Sequence, residues 1–375
     1  MPDTYTEIRY KTHGQRLGSS IAGAIICFIF LILFFHLFIY IEHDAKLKQE
    51  GLGEIGRTLR TISGEVVEPA SHGKVVLLGG SVKAGEKLKD PALFLELDAP
   101  KVERNVEMYQ WYEKTDKTET VLPGGGSIEK KTYTYDKKWS SELIRSSSFH
   151  KQEYVNPQSM LFEHAKFIVP EARLEKFMIS ETHIDSISSK PLPLGNIPLP
   201  LKAQFPGRIS LTKNGEIFIG KDQESPAIGD HRISYTGAVS DIYTVVGRQD
   251  GDRIMPYVCG DGATTLSPMR CGKYASGEMI QLEKTDLKSR TWGWRLSLAF
   301  FYLVLIFFIV EPIAVLADIV PPAGSFTRLS NLMLSLFLAA GLFALSIGVG
   351  RFFYAPVMGT SKFVVEMILR KLGIL

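Results

Sequence analysis

The chain has 375 residues, 45% of them hydrophobic, and its 43 Lys and Arg nearly balance 40 Asp and Glu. This length allows one large domain or two ordinary ones. A net charge of +3 without a long basic run argues against a nucleic-acid-binding protein. The three cysteines are too few for a disulfide framework. Cys259 and Cys271 either pair in an oxidising compartment or remain separate thiols.

The first apolar run lies near the start of the chain. No formally charged residue occurs between Arg16 and Glu42, which exceeds the ~20 residues that cross a bilayer core. The run is also longer than the roughly 7–15 apolar residues of a signal peptide. It therefore predicts a retained transmembrane helix at residues 17–41, after a short tail at residues 1–16.

Two further apolar runs lie near the other end, at residues 291–316 and 329–350. Trp292 and Trp294 at the start of the first of these suit a membrane interface. Both runs predict transmembrane helices.

The segment at residues 42–290 is polar and rich in β-type sequence. Val, Ile, Tyr and Thr recur in short runs separated by turn residues, which indicates strands. Hairpin signals are Gly124–Gly126, Asn214–Gly215 and Asp250–Gly251. The segment 149–190 is less β-like and suits one or two helices. The proline-rich segment 191–200 is predicted to be an extended connection. Predicted strands lie at residues 74–80, 93–97, 101–114, 128–139, 231–239 and 242–249.

Residues 352–375 form a weaker candidate. Lys362, Glu366 and Arg370 recur at every fourth position, so on a helix they form one charged stripe. This pattern favours an amphipathic helix in the interface, with a weak fourth span as the alternative. The predicted fold is therefore an integral membrane α+β protein. A large β-rich extramembrane domain is flanked by one N-terminal and two or three C-terminal transmembrane helices.

Several motifs that suggest chemistry have plainer interpretations. The run GLGEIG at Gly51–Gly56 resembles a dinucleotide-binding fingerprint, but it does not follow a strand, so we interpret it as a flexible linker. His36 and Glu311 are ionisable residues in predicted spans and are candidates for a polar path. The favoured interpretation of His36 is a neutral imidazole bonded to a backbone carbonyl or to a neighbouring span. The plainer interpretation of Glu311 is that it marks the end of a short span, where Pro312 bends the chain. No catalytic, cofactor-binding or metal-binding constellation is identified, and the chain is predicted not to be an enzyme.

Small residues recur in the third predicted span. Ala340, Ala344 and Gly348 are spaced by four and give the helix a smooth face. Packing within the chain is the first interpretation of this face, and self-association is the second.

The most specific sequence signals lie in the β-rich segment. They are the run VEMYQW at Val106–Trp111, the Trp139, Ser141, Glu142 and Phe149 series, and Asn156 with Pro157. Together these motifs resemble the transmembrane protein 43 family, also called LUMA. The resemblance continues through GDHRISY and TWG, and marks Glu107, Tyr109, Gln110, Trp111, Trp139, Glu142, Asn156 and Pro157 as signature residues and candidate interaction residues.

The resemblance implies a multi-pass protein of the endoplasmic reticulum and inner nuclear membrane in eukaryotes. It also implies self-association and membrane or envelope protein partners similar to lamins and emerin. The chain contains no Asn-x-Ser/Thr acceptor, which favours a bacterial member in the cytoplasmic membrane with a periplasmic domain. The predicted function is a non-enzymatic membrane scaffold that self-associates. The alternative is an oligomeric channel or transport accessory with a polar path near His36 and Glu311.

Overall fold

The computed structural model describes residues 3–84, 87–240 and 242–352. The described helices are α1 His13–Thr58, α2 Glu181–Ser186, α3 Leu199–Gln204, α4 Ser276–Ala317 and α5 Pro321–Phe352. The described strands are β1 Asp3–Lys11, β2 Arg60–Thr61, β3 Val75–Gly80, β4 Val82–Ala84, β5 Leu88–Asp90, β6 Leu95–Leu97, β7 Lys101–Val121, β8 Ser127–Ser140, β9 Ala165–Ile168, β10 Glu171–Leu174, β11 Phe177–Ser180, β12 Lys190–Pro191, β13 Ile209–Leu211, β14 Ile217–Ile219, β15 His231–Gly237, β16 Tyr243–Asp250, β17 Arg253–Met255, β18 Tyr257–Val258, β19 Thr265–Leu266 and β20 Met269–Cys271.

Helices α1, α4 and α5 are each long and apolar enough to cross a membrane. This confirms the predicted fold class, with one N-terminal and two C-terminal helices around a β-rich domain. Helix α1 continues well beyond the predicted span, to Thr58. The flexible linker predicted at Gly51–Gly56 is therefore wrong. Leu52 and Ile55 lie one turn apart and are buried, which anchors this part of the helix.

The described residues divide into two compact units. The β unit contains residues 3–5, 52–115 and 133–281. The helical unit contains residues 6–51, 116–132 and 282–352. Residues 116–132, which we call the hairpin tip, end the long β7–β8 hairpin and lie in the helical unit although their sequence is polar.

One sheet has the order β1-β8-β7-β15-β14-β13. Strand β15 pairs antiparallel with β7, with Ile233 opposite Val106. Its residues alternate between buried and half-buried positions, as expected for a strand with one face on a core. Val102, Val106, Ile217, Ile233 and Tyr235 are members of that core.

A second sheet has the order β2-β3-β16-β17-β11-β10-β4. Strands β3 and β16 are central and pair antiparallel. Most of their residues are buried, which explains why their sequences are continuously apolar rather than alternating. A separate core packs here around Leu78, Phe177, Ile184, Val245 and Ile254.

The helical unit has its own apolar core. Phe38 of α1, Leu298, Tyr302 and Ile306 of α4, and Ala339 of α5 pack together. The Tyr302 hydroxyl lies 2.9 Å from the Ser346 hydroxyl, so this core also contains an interhelical hydrogen bond. Such bonds join helices in lipid, where the hydrophobic effect does not.

Most strand predictions agree with the structure, and all three hairpin signals lie between paired strands. The segment 149–190 differs, since it forms β9, β10 and β11 with only the short helix α2. Strand β12 and the bond from the Leu192 amide to Tyr235 O give the proline-rich segment its extended start. The interfacial helix or fourth span, with Lys362, Glu366 and Arg370, lies outside the described residues apart from Phe352.

Candidate functional site

Two signature residues brace strand β7 from its buried side. The Gln110 side chain is fully buried, donates to Glu142 O at 3.0 Å and accepts from the Ile144 amide at 2.8 Å. The Asn156 amide accepts from the Trp111 amide and donates to the Trp111 carbonyl, at 2.8 and 2.9 Å. It thus replaces a neighbouring strand at Trp111. Both residues satisfy buried polar groups, which is a structural role.

Five other side chains are half-buried, and we call them the docking face: Glu107, Tyr109, Trp111, Trp139 and Arg232. Arg232 donates twice to Glu107 Oε2, at 2.9 and 2.6 Å. The same guanidinium lies 4.9 Å from the centre of the Trp139 ring. The Tyr109 and Trp139 rings are 5.3 Å apart. Aromatic and arginine side chains are enriched at protein–protein contact sites.

Aromatic and basic side chains continue beside the docking face. Lys137 lies 4.6 Å above the Trp111 ring, and the Tyr154 ring meets Trp111 edge to face. Tyr154 stacks in turn on Tyr135, whose hydroxyl donates to Glu113. Burial and this carboxylate raise the pKa of Tyr135 to about 12, so it remains a hydrogen-bond donor. Trp111 is therefore rigidly held while part of its ring stays accessible.

The last two signature residues contribute through the backbone and through shape. Glu142 offers its carbonyl oxygen to Gln110. Pro157 lies beside Gly229, where an added Cβ would come within 3.2 Å of its ring. Gly229 has a positive φ of 91°, so its conformation also favours glycine.

Asp90 and His183, two buried ionisable groups of the β unit, are bonded to other side chains or to backbone. Asp90 accepts from Arg104 at 2.5 and 2.7 Å and from the Tyr235 hydroxyl at 2.6 Å. Both ring nitrogens of His183 are bonded, to Ser180 and Val246 O. Burial lowers the pKa of His183 to about 4, so the ring is neutral at pH 7. These groups hold the fold together.

One end of the helical unit is joined by a buried carboxylate. Glu42 of α1 is completely buried and accepts from Arg295 of α4 at 2.6 and 2.9 Å. Arg351 of α5 donates to the same carboxylate at 3.1 Å. We call these three residues the closed cluster, since one anion connects all three helices.

A second polar cluster lies at the other end of α1. Arg16 donates to Glu119 at 3.0 Å, to Gly125 O at 2.6 Å and to Asp318 at 2.7 Å. Arg328 donates to Asp318 and, at 3.1 Å, to Glu311. We call these residues, with the hairpin tip, the open cluster. Arg16 precedes Glu42 by 26 residues of helix, about 39 Å, which is close to the thickness of a bilayer.

The hairpin tip is fitted to this second cluster. The Gly124 amide donates to Ile319 O at 3.2 Å. Gly125 has a φ of 82°, and a Cβ there would meet the His13 ring at 2.3 Å. Only glycine allows both this backbone and this approach. Charged strands cannot face hydrocarbon, so the tip marks a polar level of the helical unit.

Lysines surround one carboxylate of the tip. Glu129 is 2% exposed and lies 2.5 Å from Lys11, 2.9 Å from Lys117 and 3.5 Å from Lys131. Hydrogen bonds from Lys11 and Lys117 lower the pKa of Glu129 to about 2. The N-terminal tail and the hairpin tip are thereby bound to one ionised group.

The remaining predicted residues are placed as follows. The His36 ring lies 2.8 Å from Ile32 O of its own helix, which agrees with the favoured interpretation of an imidazole bonded to a backbone carbonyl. Ala340 and Ala344 are exposed, and a Cβ on Gly348 would meet no described atom within 4 Å. The described helices therefore do not pack on this smooth face, and self-association through it stays a prediction. Cys259 and Cys271 are not joined by a disulfide bond.

Comparison with known proteins agrees with the signature. The model of the family described as transmembrane protein 43 matches residues 108–356. The chain belongs to the transmembrane protein 43 family. The rat transmembrane protein 43 is 28% identical over 92% of this chain and 87% of its own length. The human transmembrane protein 43 is 27% identical over 93% of this chain and 90% of its own length.

A more distant relative also matches. The Drosophila homologue of transmembrane protein 43 is 25% identical over 62% of this chain and 61% of its own length. No solved structure matches the chain significantly. The resemblance to the family predicted from the motifs is thus confirmed, and the chain is a membrane protein.

Proposed function

We propose that this transmembrane protein 43 family member is a non-enzymatic membrane scaffold that self-associates and holds other membrane proteins through its docking face. The docking face carries the proposal. Trp139 is half-buried and contacts the half-buried side chains of Arg232 and Tyr109. The buried hydrogen bonds of Gln110 support strand β7 behind them. Anchors of this kind are pre-organised, so a partner orders few further side chains on binding.

The proposed compartment and partners are those that the resemblance to the family implies. In a eukaryote the proposed membrane is that of the endoplasmic reticulum and inner nuclear membrane, with lamin-like or emerin-like partners. In a bacterium it is the cytoplasmic membrane, with the β unit in the periplasm. Either setting supplies membrane proteins for a half-apolar surface to bind.

The docking face is tested with Trp139→Ala in the full chain. We expect this variant to lose crosslinked partners in native membranes, because central aromatic anchors cost about 2 kcal/mol or more on truncation. Its midpoint of thermal unfolding should stay near that of the wild type, since the Trp139 ring is only half-buried. The readouts are mass spectrometry of the crosslinked partners and tryptophan fluorescence on heating.

Two further variants make the test specific. Leu199→Ala removes an exposed apolar side chain outside the docking face and should change neither readout. Asn156→Ala removes the buried amide that supports Trp111 and should lower the unfolding midpoint. Unchanged partners in Trp139→Ala, or a loss of stability as large as that of Asn156→Ala, would exclude the docking face as a binding site.

A further inference from the structure

The helical unit contains a cavity of about 720 Å³ beside the open cluster. This volume lies within the range of small-molecule sites, roughly 300–1,000 Å³. Its lining comes from the N-terminal tail, α1, the hairpin tip, α4 and α5, and it has two chemically different parts. One part is charged and the other is apolar.

Cations and carboxylates are paired in the charged part. Lys11, Arg16, Lys117 and Arg328 line the cavity with Glu119 and Glu311, and Glu129 and Asp318 pair with the same cations from outside the lining. Each cation is paired with a protein carboxylate, which fixes its position. Pairing does not exhaust them: a lysine has three N–H donors and an arginine has five. Donors therefore remain for an anion in the cavity.

The apolar part follows α1 into the predicted span. Gly23 and Cys27 line the cavity 7 and 11 residues after Arg16, which is about 10 and 16 Å along the helix. One leaflet of the hydrocarbon core is about 15 Å deep. Phe307 and Phe308 of α4 provide the opposite apolar lining. The cavity thus extends from a charged end through the depth of one leaflet.

One acceptor in the cavity lacks a partner. Glu311 Oε1 accepts from Arg328, but Oε2 is buried and has no hydrogen-bond partner among the described residues. A buried acceptor without a donor costs about 1–3 kcal/mol. A ligand with a hydroxyl or ammonium group beside its anionic group would supply the missing donor.

We propose that this cavity binds one anionic phospholipid, with its phosphate at Lys11, Arg16 and Lys117 and an acyl chain along Gly23 and Cys27. A hydroxyl or ammonium group of the head group donates to Glu311. The length of the apolar part distinguishes this occupant from a free phosphate, which needs only the charged part. The site is separate from the docking face and does not depend on it.

The test uses the purified full chain in a neutral detergent, titrated with phosphatidylglycerol, phosphatidylcholine or inorganic phosphate. Native mass spectrometry counts bound lipid, and thermal unfolding reports stabilisation. We expect one phosphatidylglycerol per chain and a raised unfolding midpoint. Phosphatidylcholine and inorganic phosphate should have little effect. Equal binding of both lipids, or equal stabilisation by phosphate, would overturn the proposal.

Variants then separate the two parts of the cavity. Gly23→Leu adds a side chain where a Cβ meets no atom within 4 Å, so the chain should fold while phosphatidylglycerol binding falls by about tenfold or more. Gly18→Leu, on the exposed side of the same helix, is the matched control and should bind normally. Normal binding by a folded Gly23→Leu, or equal losses in both variants, would contradict an acyl-chain site.

Lys117→Gln tests the charged part. Removing one cation from the head-group level should weaken phosphatidylglycerol binding by about fivefold. The exposed Lys213→Gln serves as its control and should leave binding unchanged. Full retention of binding by Lys117→Gln would remove the hairpin tip from the proposed site.

Discussion

The closed cluster and the open cluster, at the two ends of the helical unit, pair their charged side chains differently. Both hold charges at the end of apolar helices, where isolated charges are costly. In the closed cluster, both oxygens of Glu42 accept from arginines of α4 and α5. In the open cluster, one oxygen of Glu311 and one of Asp318 are buried with no hydrogen-bond partner in the described part of the chain, and a cavity lies beside the cluster.

This difference distinguishes a cluster that joins helices from a cluster that can bind a ligand. A buried carboxylate whose oxygens are both bonded joins helices and leaves nothing for a ligand. A cluster with spare acceptors, spare N–H donors and adjacent space has the features of a binding site. The hairpin tip, which is distant in sequence from the helices, contributes Glu119 and Gly125 O to the open cluster and nothing to the closed cluster as defined above.

The largest expected effect concerns the closed cluster. Glu42→Ala leaves Arg295 and Arg351 without their shared carboxylate, and breaking a buried ion pair in this way costs about 3–5 kcal/mol. We expect a strongly lowered midpoint of thermal unfolding in detergent, followed by tryptophan fluorescence.

Glu50→Ala is the matched control on the same helix. Glu50 lies 3.9 Å from Lys46 in an exposed pair, which contributes about 0.5 kcal/mol or less. If the two variants unfolded at the same temperature, Glu42 would not be the connection between the three helices.

A smaller effect is expected in the open cluster, and it depends on pH. Glu129→Gln should lower stability at pH 7 by about 1–3 kcal/mol, because the surrounding lysines lose a buried acceptor. The native pKa of Glu129 is lowered to about 2 from an ordinary value near 4.5. The stabilisation is therefore complete above pH 4.5 and is lost as the pH falls toward 2.

Thermal unfolding of wild type and variant between pH 7 and pH 3 measures this dependence. The difference between them should shrink on acidification below about pH 4.5. Glu153→Gln, in an exposed pair with Lys151, should show no such trend. A difference that stayed constant down to pH 3 would show that the ionised form of Glu129 is not what stabilises the tip.

Much of the fold follows from the sequence. The uncharged run after Arg16 predicts α1, and β-branched runs between glycine turns predict β7, β8, β15 and β16. The family motif identifies Gln110 and Asn156 as important, although their roles in supporting Trp111 appear only in the structure. These features depend on local composition or on short patterns.

The open cluster depends on partners that are far apart in the chain. Arg16 meets Glu119 and Asp318, which are 103 and 302 residues away. No local pattern distinguishes Glu119 or Glu129 from other charges of a polar strand. The glycines at the tip signal a turn, but not that the turn packs on helix ends. The helical continuation through Gly51–Gly56 was likewise hidden, because its anchors are tertiary contacts.

The position of the hairpin tip beside the start of α1 is the central claim, and one crosslinking measurement tests it. The three native cysteines are replaced by serine, and cysteines are introduced for Lys11 and Glu129, whose charged atoms lie 2.5 Å apart. A short bifunctional thiol reagent in native membranes should join this pair. It should not join a control pair at Lys11 and the exposed Glu50, which lie on opposite sides of the apolar part of α1. Efficient crosslinking of the Lys11 and Glu129 positions alone is the predicted result. A crosslink in the control pair only, or in neither pair, would contradict the account.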